Sequence, residues 1–288
     1  MSARRWHVAG QALTLLRKAL CALGAGAFFL ACDASVEQPS TPDCAFLAPA
    51  AAAPIRIAAV LDGDSVRLGD GKTLRFAGVN TPEMHRQQQP EQPLARQAKR
   101  RLEQILQSEQ DWYLLSGARR FDHYGRRLGY PVSASGRSPE LELLREGLAF
   151  LVVKPPYTAH ARCFAAAQAS ARQQRLGVWS APYWRPLSAT SINAGQLGYR
   201  RLRGVVTRVD QPGAVYLELD DRLVVKIDRQ NLGNFDRWLD GKSWRDLRGR
   251  QLQVSGWLFE RTLSERGKKL QHKPYMLELA TEYDLELE

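Results

Sequence analysis

The sequence is poor in the residues that build zinc sites and disulfide frameworks. It contains four cysteines and five histidines in 288 residues, with no Cys-x-x-Cys pair and no Cys/His cluster. Structural zinc sites need closely spaced thiolate and imidazole ligands, so the sequence argues against one. A long apolar span is also lacking. The apolar run from Ala19 to Ala31 is shorter than the roughly 20 residues that cross a membrane as a helix.

The N-terminal segment has the pattern of an export signal. Basic residues precede the apolar run, and a polar, proline-containing stretch follows it. We therefore predict a signal peptide over residues 1–32 and a periplasmic or secreted protein. The stretch FLAC, which ends at Cys32, resembles a lipobox and would place a lipid on Cys32 and anchor the protein at a membrane. Cleavage near Ala34 would instead give a soluble protein, and an uncleaved segment would remain as an anchor.

If the protein is exported, few of its cysteines remain to form a disulfide. Cys21 belongs to the signal, and Cys32 would be consumed if it carries a lipid. Cys44 and Cys163 then remain as one candidate disulfide in an oxidising compartment, with two unpaired thiols as the alternative.

The chain is basic. Its formal net charge is +11, of which Arg4, Arg5, Arg17 and Lys18 in the N-terminal segment supply four units, so that +7 remains. A surplus of this size attracts polyanions, such as nucleic acid or an anionic membrane surface, without distinguishing between them.

Composition divides the rest of the chain into four parts. Residues 33–54 are rich in Ala, Pro and Ser and are predicted to be a linker. Residues 55–183 and 196–288 are predicted to be two folded domains, because their apolar residues recur with strand and helix periods. A second linker is predicted over 184–195.

The first domain begins with strands. Apolar and polar residues alternate in RIAAVLDGDSVRLGDGKTLRFAGVN, and Asp-Gly breaks at Asp62 and Asp70 predict three strands linked by hairpins. Two further strands are predicted on either side of the turn FDHYGR.

Three helices are predicted between and after these strands. The stretch LARQAKRRLEQILQS has apolar residues at helical spacing and basic residues opposite. Ser138 is a good N-cap for a second helix, which Gly147 ends. A third helix runs through HARCFAAAQASARQQRL to Gly177.

Four short motifs follow one another along this domain. They are Asp62-Gly63-Asp64-Ser65, Arg75 followed by Asn80-Thr81-Pro82-Glu83, Asp122-His123-Tyr124-Gly125-Arg126, and Leu176-Gly177-Val178-Trp179. Together with the order of strands and helices, they resemble the thermonuclease family, the staphylococcal-nuclease-like domains, over roughly residues 55 to 180. The resemblance implies a mainly β, α+β fold in which a five-stranded OB barrel carries the helices.

The resemblance also implies a reaction and a site. Family members use Ca²⁺ to hydrolyse DNA and RNA with little sequence preference, and they leave 3′-phosphate ends. The matching positions assign Asp64, Asn80 and Thr81 to the metal. They assign Arg75, Glu83 and Arg126 to catalysis, with Glu83 as the general base.

The same residue types suit this chemistry on physical grounds. Phosphodiester hydrolysis needs an activated water, neutralised phosphoryl oxygens and a stabilised leaving oxygen. Asp64 and Thr81 offer the hard oxygen ligands that Ca²⁺ prefers. Glu83 follows a proline, which stiffens its backbone. Arg75 and Arg126 stay protonated and can bind phosphate oxygens through two N–H groups at once. The source of the proton for the leaving oxygen stays open.

Two positions depart from the family pattern. Asn80 stands where the best-studied members have a second Asp, and the loss of one negative charge is expected to weaken Ca²⁺ binding. Leu151 and Val153 stand where some members have tyrosines that hold the nucleotide, so the base preference stays open.

The second domain is predicted to be another OB barrel. Five β-rich runs with a helix or loop between the third and fourth are typical of that fold. The runs are Arg203–Val209, Ala214–Leu219, Leu223–Ile227, Gln251–Phe259 and Tyr275–Leu279. An OB barrel can bind single strands through exposed aromatics, but large aromatics at alternate strand positions also fill barrel cores. The aromatics in question are Tyr216, Trp238, Trp244, Trp257 and Phe259.

The sequence thus favours an exported, monomeric, Ca²⁺-dependent nuclease whose partners are DNA and RNA, with single strands preferred. One alternative is a two-barrel module that binds nucleic acid or a protein without cutting, with Asn80 marking a lost metal site. Another is an envelope lipoprotein with a structural role. Neither alternative needs the set Asp64, Arg75, Glu83 and Arg126.

Overall fold

The computed structural model describes residues 44, 46, 52–85 and 90–288. The predicted signal peptide, the lipidation site Cys32 and most of the 33–54 linker lie outside these residues. Within the described part of the chain, no helix is long and apolar enough to cross a membrane.

The first domain contains a barrel of short strands. In chain order the strands are β1 (Ala53–Ile55), β2 (Ile57–Asp62), β3 (Ser65–Leu68), β4 (Thr73–Phe76), β5 (Val79–Asn80), β6 (Trp112–Leu115), β7 (Arg127–Ser133) and β8 (Phe150–Leu151). Six of them form a sheet in the order β1-β6-β7-β4-β3-β2. Only Arg56 separates β1 from β2, and these two strands pair with β6 and β3 respectively. One bent stretch of chain therefore closes the barrel. The remaining strands, β5 and β8, pair only with each other.

Three helices accompany this barrel, at the places the sequence predicted. They are α1 (Ala95–Gln107), α2 (Pro139–Arg145) and α3 (Ala161–Gln173). The periodic apolar face of α1, which includes Ala98 and Leu102, is fully buried in the core of the barrel. The Ser138 hydroxyl accepts the Leu141 N–H at the start of α2, as expected of an N-cap.

A disulfide ties the N-terminal approach of the domain to α3. The sulfur atoms of Cys44 and Cys163 are 1.95 Å apart. Phe46 is only 2% exposed, and its ring stacks on Phe164 with the centroids 5.7 Å apart. Part of the stretch predicted to be a linker therefore belongs to the core, while the domain boundaries themselves stay a prediction.

The second domain is a closed five-stranded OB barrel. Its elements are β9 (Leu187–Ser188), β10 (Gly198–Asp210), β11 (Val215–Leu219), β12 (Leu223–Ile227), α4 (Asp236–Leu239), β13 (Gln251–Glu260), α5 (Glu265–Lys269), β14 (Tyr275–Leu279) and β15 (Leu285–Leu287). The ring β10-β11-β12-β14-β13 closes because β13 also pairs with β10. A parallel pair, β12 and β14, and a helix before β13 complete the topology typical of the fold. The predicted fold class is thus confirmed for both domains.

Most aromatics of the second barrel fill its interior or its junction with the first. Trp244 is 8% exposed in the barrel core, and Trp238 packs against that core. Trp257 lies in a separate aromatic cluster with Tyr199. Phe259 keeps 39% of its surface exposed. Trp244 is therefore not available to stack on bases, whereas Trp238 and Trp257 are only partly buried.

Candidate functional site

The turn between β2 and β3 buries two carboxylates. Asp62 and Asp64 are each 4% exposed. The Asp64 N–H donates to the Asp62 carboxylate at 3.1 Å, which shapes the turn. Gly63 lies so close to Thr81 that a Cβ atom on it would meet the Thr81 hydroxyl at 2.7 Å. Glycine at this position therefore allows the turn to pack directly against the segment that follows β5.

Arg75 on β4 is held by four polar contacts. Its Nη2 atom lies 3.0 Å from the Asp64 Oδ2 atom and donates to the Asn80 Oδ1 atom at 3.0 Å. Its Nη1 atom donates to the carbonyls of Phe76 and Val79 at 2.7 and 2.9 Å. A guanidinium group has only five N–H donors, so most of its directions are fixed. These contacts hold the positively charged guanidinium group of Arg75 in one position.

Asn80 and Thr81 join the same cluster. Both are 1% exposed. The Thr81 N–H donates to the Asp64 Oδ2 atom at 2.8 Å, and the Asn80 side-chain amide donates to the Thr81 carbonyl at 3.3 Å. The position of Asn80 follows from the β5–β8 pair, in which it stands opposite Phe150. The structure therefore brings together the three residues predicted to bind a metal, with Arg75 among them.

Burial makes the negative charge of Asp64 costly. Loss of hydration raises the pKa of this carboxyl group to about 7, while the Arg75 guanidinium and the Thr81 N–H act to lower the pKa. The charges of Asp62 and Glu83 raise the pKa further, so both lie within electrostatic reach of Asp64. An additional cation near Asp64 would stabilise its ionised form.

Glu83 is fixed through its backbone. It follows Pro82 and is half-buried. Its N–H donates to the side-chain carbonyl of Gln92 at 2.8 Å, and its own carbonyl accepts the Gln92 N–H at 2.9 Å. Sequence reasoning missed Gln92, because a polar residue that closes a loop leaves no periodic signal.

Arg126 lies on the turn just before β7. Its Nε atom donates to the Asp122 Oδ2 atom at 2.7 Å, and its guanidinium carbon is 5.4 Å from the centre of the Tyr124 ring. In the parallel pair of β4 and β7, Arg75 stands opposite Leu128, two residues after Arg126. Two residues of strand span about 7 Å, so Arg126 lies near the Arg75 cluster but beyond direct contact through its backbone. Its hydrogen bonds are made to Asp122 rather than to that cluster.

The oxygen atoms around Asp64 suit a hard cation, although together they carry only one negative charge. A carboxylate, an amide oxygen from Asn80 and a carbonyl from Thr81 suit Ca²⁺ rather than zinc. In the described residues, no three His, Cys, Asp or Glu side chains are grouped as a metal site. A cation would thus be held by one carboxylate and neutral oxygens, with the charges of Asp62 and Glu83 acting over a longer range.

The residues at the positions of the family's nucleotide-holding tyrosines are buried. Leu151 is 3% exposed and Val153 is 1% exposed, and both belong to the core of the first barrel. Neither side chain can reach a nucleotide, so any contact with the bases depends on other residues.

Comparison with known proteins places the chain in a family. Residues 73–181 match the family described as "Staphylococcal nuclease homologue". The thermonuclease of Staphylococcus intermedius is 30% identical over 123 residues, which cover 42% of this chain and 72% of that protein. The chain belongs to the staphylococcal nuclease homologue family.

The chain is also similar to two proteins of Bacillus subtilis (strain 168), and in each of them the similarity covers only part of the protein. The SPbeta prophage-derived endonuclease YokF is 31% identical over 124 residues, or 42% of this chain and 42% of YokF. Endonuclease YncB is 32% identical over 124 residues, or 42% of this chain and 58% of YncB. The chain thus spans about half the length of these two relatives.

Proposed function

We propose that the protein is a Ca²⁺-dependent nuclease that hydrolyses DNA and RNA with little sequence preference and leaves 3′-phosphate ends. The observation that carries this proposal is the buried cluster in which Arg75 contacts both Asp64 and Asn80 at 3.0 Å. A fixed cation beside hard oxygen ligands suits a phosphate group with a bound metal. The relatives that match the first domain are named endonucleases and a thermonuclease, which supports the same reaction class.

Each residue of the site has a part in this mechanism. Asp64, Asn80 and Thr81 would hold Ca²⁺, which supplies positive charge for the phosphoryl oxygens when bound. Arg75 binds a phosphate oxygen without moving, because its position is already fixed. Glu83 accepts a proton from the attacking water.

The water oxygen then forms a bond to phosphorus while the bond from phosphorus to the 5′ oxygen breaks. The phosphate stays on the 3′ oxygen of the upstream nucleotide. Arg126 stabilises the negative charge that develops during this exchange, since a guanidinium group binds phosphate oxygens well and is a poor proton donor.

We further infer that the enzyme is exported and is either soluble or anchored through a lipid on Cys32. We also infer that it acts as a monomer and prefers single strands. The Cys44–Cys163 disulfide supports an oxidising compartment. The net charge of +7 that remains without the four basic residues of the N-terminal segment supports attraction to a polyanion.

A direct assay tests this function. The chain from Ser35 onwards is incubated with single-stranded DNA and with RNA, in Ca²⁺ and in chelator, beside Glu83→Gln and Arg126→Ala. We expect cleavage only with Ca²⁺, 3′-phosphate ends, and strong loss of rate in both variants. No cleavage under any condition, or equal cleavage by the wild type and both variants, would refute the proposal. A gel shift without cleavage would favour the binding module.

A further inference from the structure

Two hydrogen bonds, described above, join Glu83 and Gln92. One of them, from the Gln92 N–H to the Glu83 carbonyl at 2.9 Å, involves only backbone atoms and survives any substitution except proline. The other, from the Glu83 N–H to the Gln92 side-chain carbonyl at 2.8 Å, exists only because residue 92 carries an acceptor at that length. The backbone orientation of Glu83 thus depends on a side chain nine residues away.

Gln92 is in turn tied to a tryptophan from the region between the barrels. Trp184 donates its indole N–H to the carbonyl of Pro93, the next residue after Gln92, at 3.2 Å. Trp184 itself is 2% exposed, whereas Pro93 is exposed, so this bond links the buried indole ring to a surface residue. A bond to the neighbouring carbonyl limits how far Gln92 can move.

Trp184 is held from both barrels. Its ring lies 5.0 Å from that of Phe150 in the first barrel, and Phe150 lies 5.1 Å from Tyr199 on β10 of the second. The Trp184 carbonyl accepts a hydrogen bond from Arg201, also on β10, at 3.3 Å. Phe150 stands opposite Asn80 in the β5–β8 pair. The same aromatic cluster therefore contacts the supports of both Glu83 and Asn80.

Further polar contacts join the barrels around this cluster. The Thr281 hydroxyl donates to the Val153 carbonyl at 3.2 Å, and both residues are buried. Arg172 and Glu286 form an ion pair at 2.6 Å. Both barrels fall within one compact unit. The second barrel is thus fixed to the face of the first that carries β8.

We propose that Gln92 is a positioning residue for Glu83, and that the second barrel helps to set this position through Trp184. The inference rests on the proposed function, because it assigns the second barrel a role in the same reaction. It differs from a role in binding nucleic acid, since the aromatics it uses are buried. Gln92 itself acts through Glu83 and touches no reacting atom.

The position of Glu83 should affect the rate, because a general base must lie within hydrogen-bond reach of the water that it activates. Misplacement by about 1 Å can cost on the order of a hundredfold in rate, although substrate binding is unchanged. Loss of the Gln92 acceptor also removes the hydrogen bond that the Glu83 N–H donates to this side chain.

The first arm of the test compares three variants of the full chain from Ser35 onwards. Gln92→Leu removes the acceptor, Gln92→Glu keeps one, and Gln97→Leu makes the same change at an exposed glutamine of α1. We expect kcat on single-stranded DNA to fall by on the order of tenfold or more in Gln92→Leu, with KM nearly unchanged. Gln92→Glu and Gln97→Leu should stay within about threefold of the wild type.

Hydrogen exchange provides a reading that does not depend on activity. The Glu83 amide should exchange at least about tenfold faster in Gln92→Leu than in the wild type, while amides of the barrel strands keep their protection. In Gln92→Glu the Glu83 amide should stay protected.

The second arm compares two tryptophans of the same cluster. Trp184→Phe keeps the aromatic packing and removes the N–H that reaches Pro93. Trp179→Phe removes a buried indole N–H that has no hydrogen-bond partner among the described residues. We expect Trp184→Phe to lower kcat and to speed exchange at Glu83, and Trp179→Phe to do neither.

The outcomes separate this inference from the function on which it rests. Cleavage by the wild type with an unchanged kcat and unchanged Glu83 exchange in Gln92→Leu would overturn the positioning role alone. Equal effects of Trp184→Phe and Trp179→Phe on kcat and on Glu83 exchange would overturn the proposed role of the second barrel. Absence of cleavage by the wild type would overturn the proposed function and the inference together.

Discussion

The Nη2 atom of Arg75 lies 3.0 Å from the Oδ2 atom of Asp64, and their side chains are 12% and 6% exposed. The same Nη2 atom donates to Asn80, so one guanidinium group serves an ionisable and a neutral acceptor at once. A buried pair of this kind is costly to break, because either partner alone would be an uncompensated charge. The charge at position 80 should therefore control how strongly the cluster attracts a second cation.

Asn80→Asp adds a carboxylate beside Asp64 and Arg75. We expect the Ca²⁺ concentration for half-maximal cleavage to fall by roughly tenfold, because affinity in oxygen sites rises with ligand charge. The measurement is the cleavage rate against Ca²⁺ concentration, with the exposed cap residue change Asn193→Asp as control. An unchanged Ca²⁺ dependence would remove residue 80 from the metal site.

Asp122 is expected to hold Arg126 in place for catalysis. Its Oδ2 atom accepts the Arg126 Nε–H at 2.7 Å. Asp122→Asn keeps an oxygen for the turn but loses the ion pair, so kcat should fall by about tenfold. Asp70→Asn, which breaks the ion pair of the neighbouring Arg127 at 2.9 Å, is the matched control and should leave kcat unchanged. Equal rates in the two variants would speak against an orienting role for Asp122.

Much of the site could be predicted from the sequence. The Asp-Gly breaks predicted the turns beside β3, and the resemblance to the thermonuclease family implied that Asp64, Arg75 and Asn80 meet. Those signals are local, and the family pattern supplied the long-range contacts. The alternation of apolar residues likewise predicted the five barrel strands of the second domain.

The junction between the barrels could not be predicted in this way. Phe150, Trp184 and Tyr199 lie far apart in the sequence, and single aromatics carry no period that shows which of them will meet. Strands β5 and β8 have two residues each, too few for a recognisable alternation. Trp184, at the start of the stretch predicted as the second linker, is 2% exposed and belongs to this cluster.

The disulfide is expected to contribute strongly to stability. Cys44 and Cys163 are 119 residues apart in sequence, so the bond closes a long loop in the unfolded chain. The double variant Cys44→Ser/Cys163→Ser should lose about 2–5 kcal/mol of unfolding free energy. Urea unfolding measures this loss, and added reductant should destabilise the wild type but not the double variant. A wild type that is insensitive to reductant under unfolding conditions would contradict the bond's contribution.

Glu140 should make stability depend on pH. It is 0% exposed, and within the part of the chain that the structure describes its Oε1 atom has no hydrogen-bond partner. Burial raises the pKa of this carboxyl group from 4.5 to about 8, and Ser138 and Arg75 only partly oppose the rise. The folded protein therefore keeps the proton that the unfolded chain loses. Its stabilising effect is complete below pH 4.5 and is lost as pH rises towards 8.

Glu140→Gln removes this dependence. The free energy of unfolding of the wild type, relative to the variant, should fall by up to about 1.4 kcal/mol for each pH unit between these two limits. Urea unfolding of both proteins at pH 5 and pH 8 measures the difference directly. The same difference at both values would show that Glu140 ionises in the folded protein as it does in the unfolded chain.

In the proposed reaction, Glu83 activates water for the Ca²⁺-dependent cleavage of nucleic acid. The most direct measurement is the single-turnover cleavage rate of labelled single-stranded DNA in saturating Ca²⁺, for the wild type and for Glu83→Gln. We expect cleavage by the wild type and a rate lower by on the order of 100-fold or more in Glu83→Gln, with unchanged DNA affinity. Equal rates for the two proteins would show that Glu83 does not activate the water.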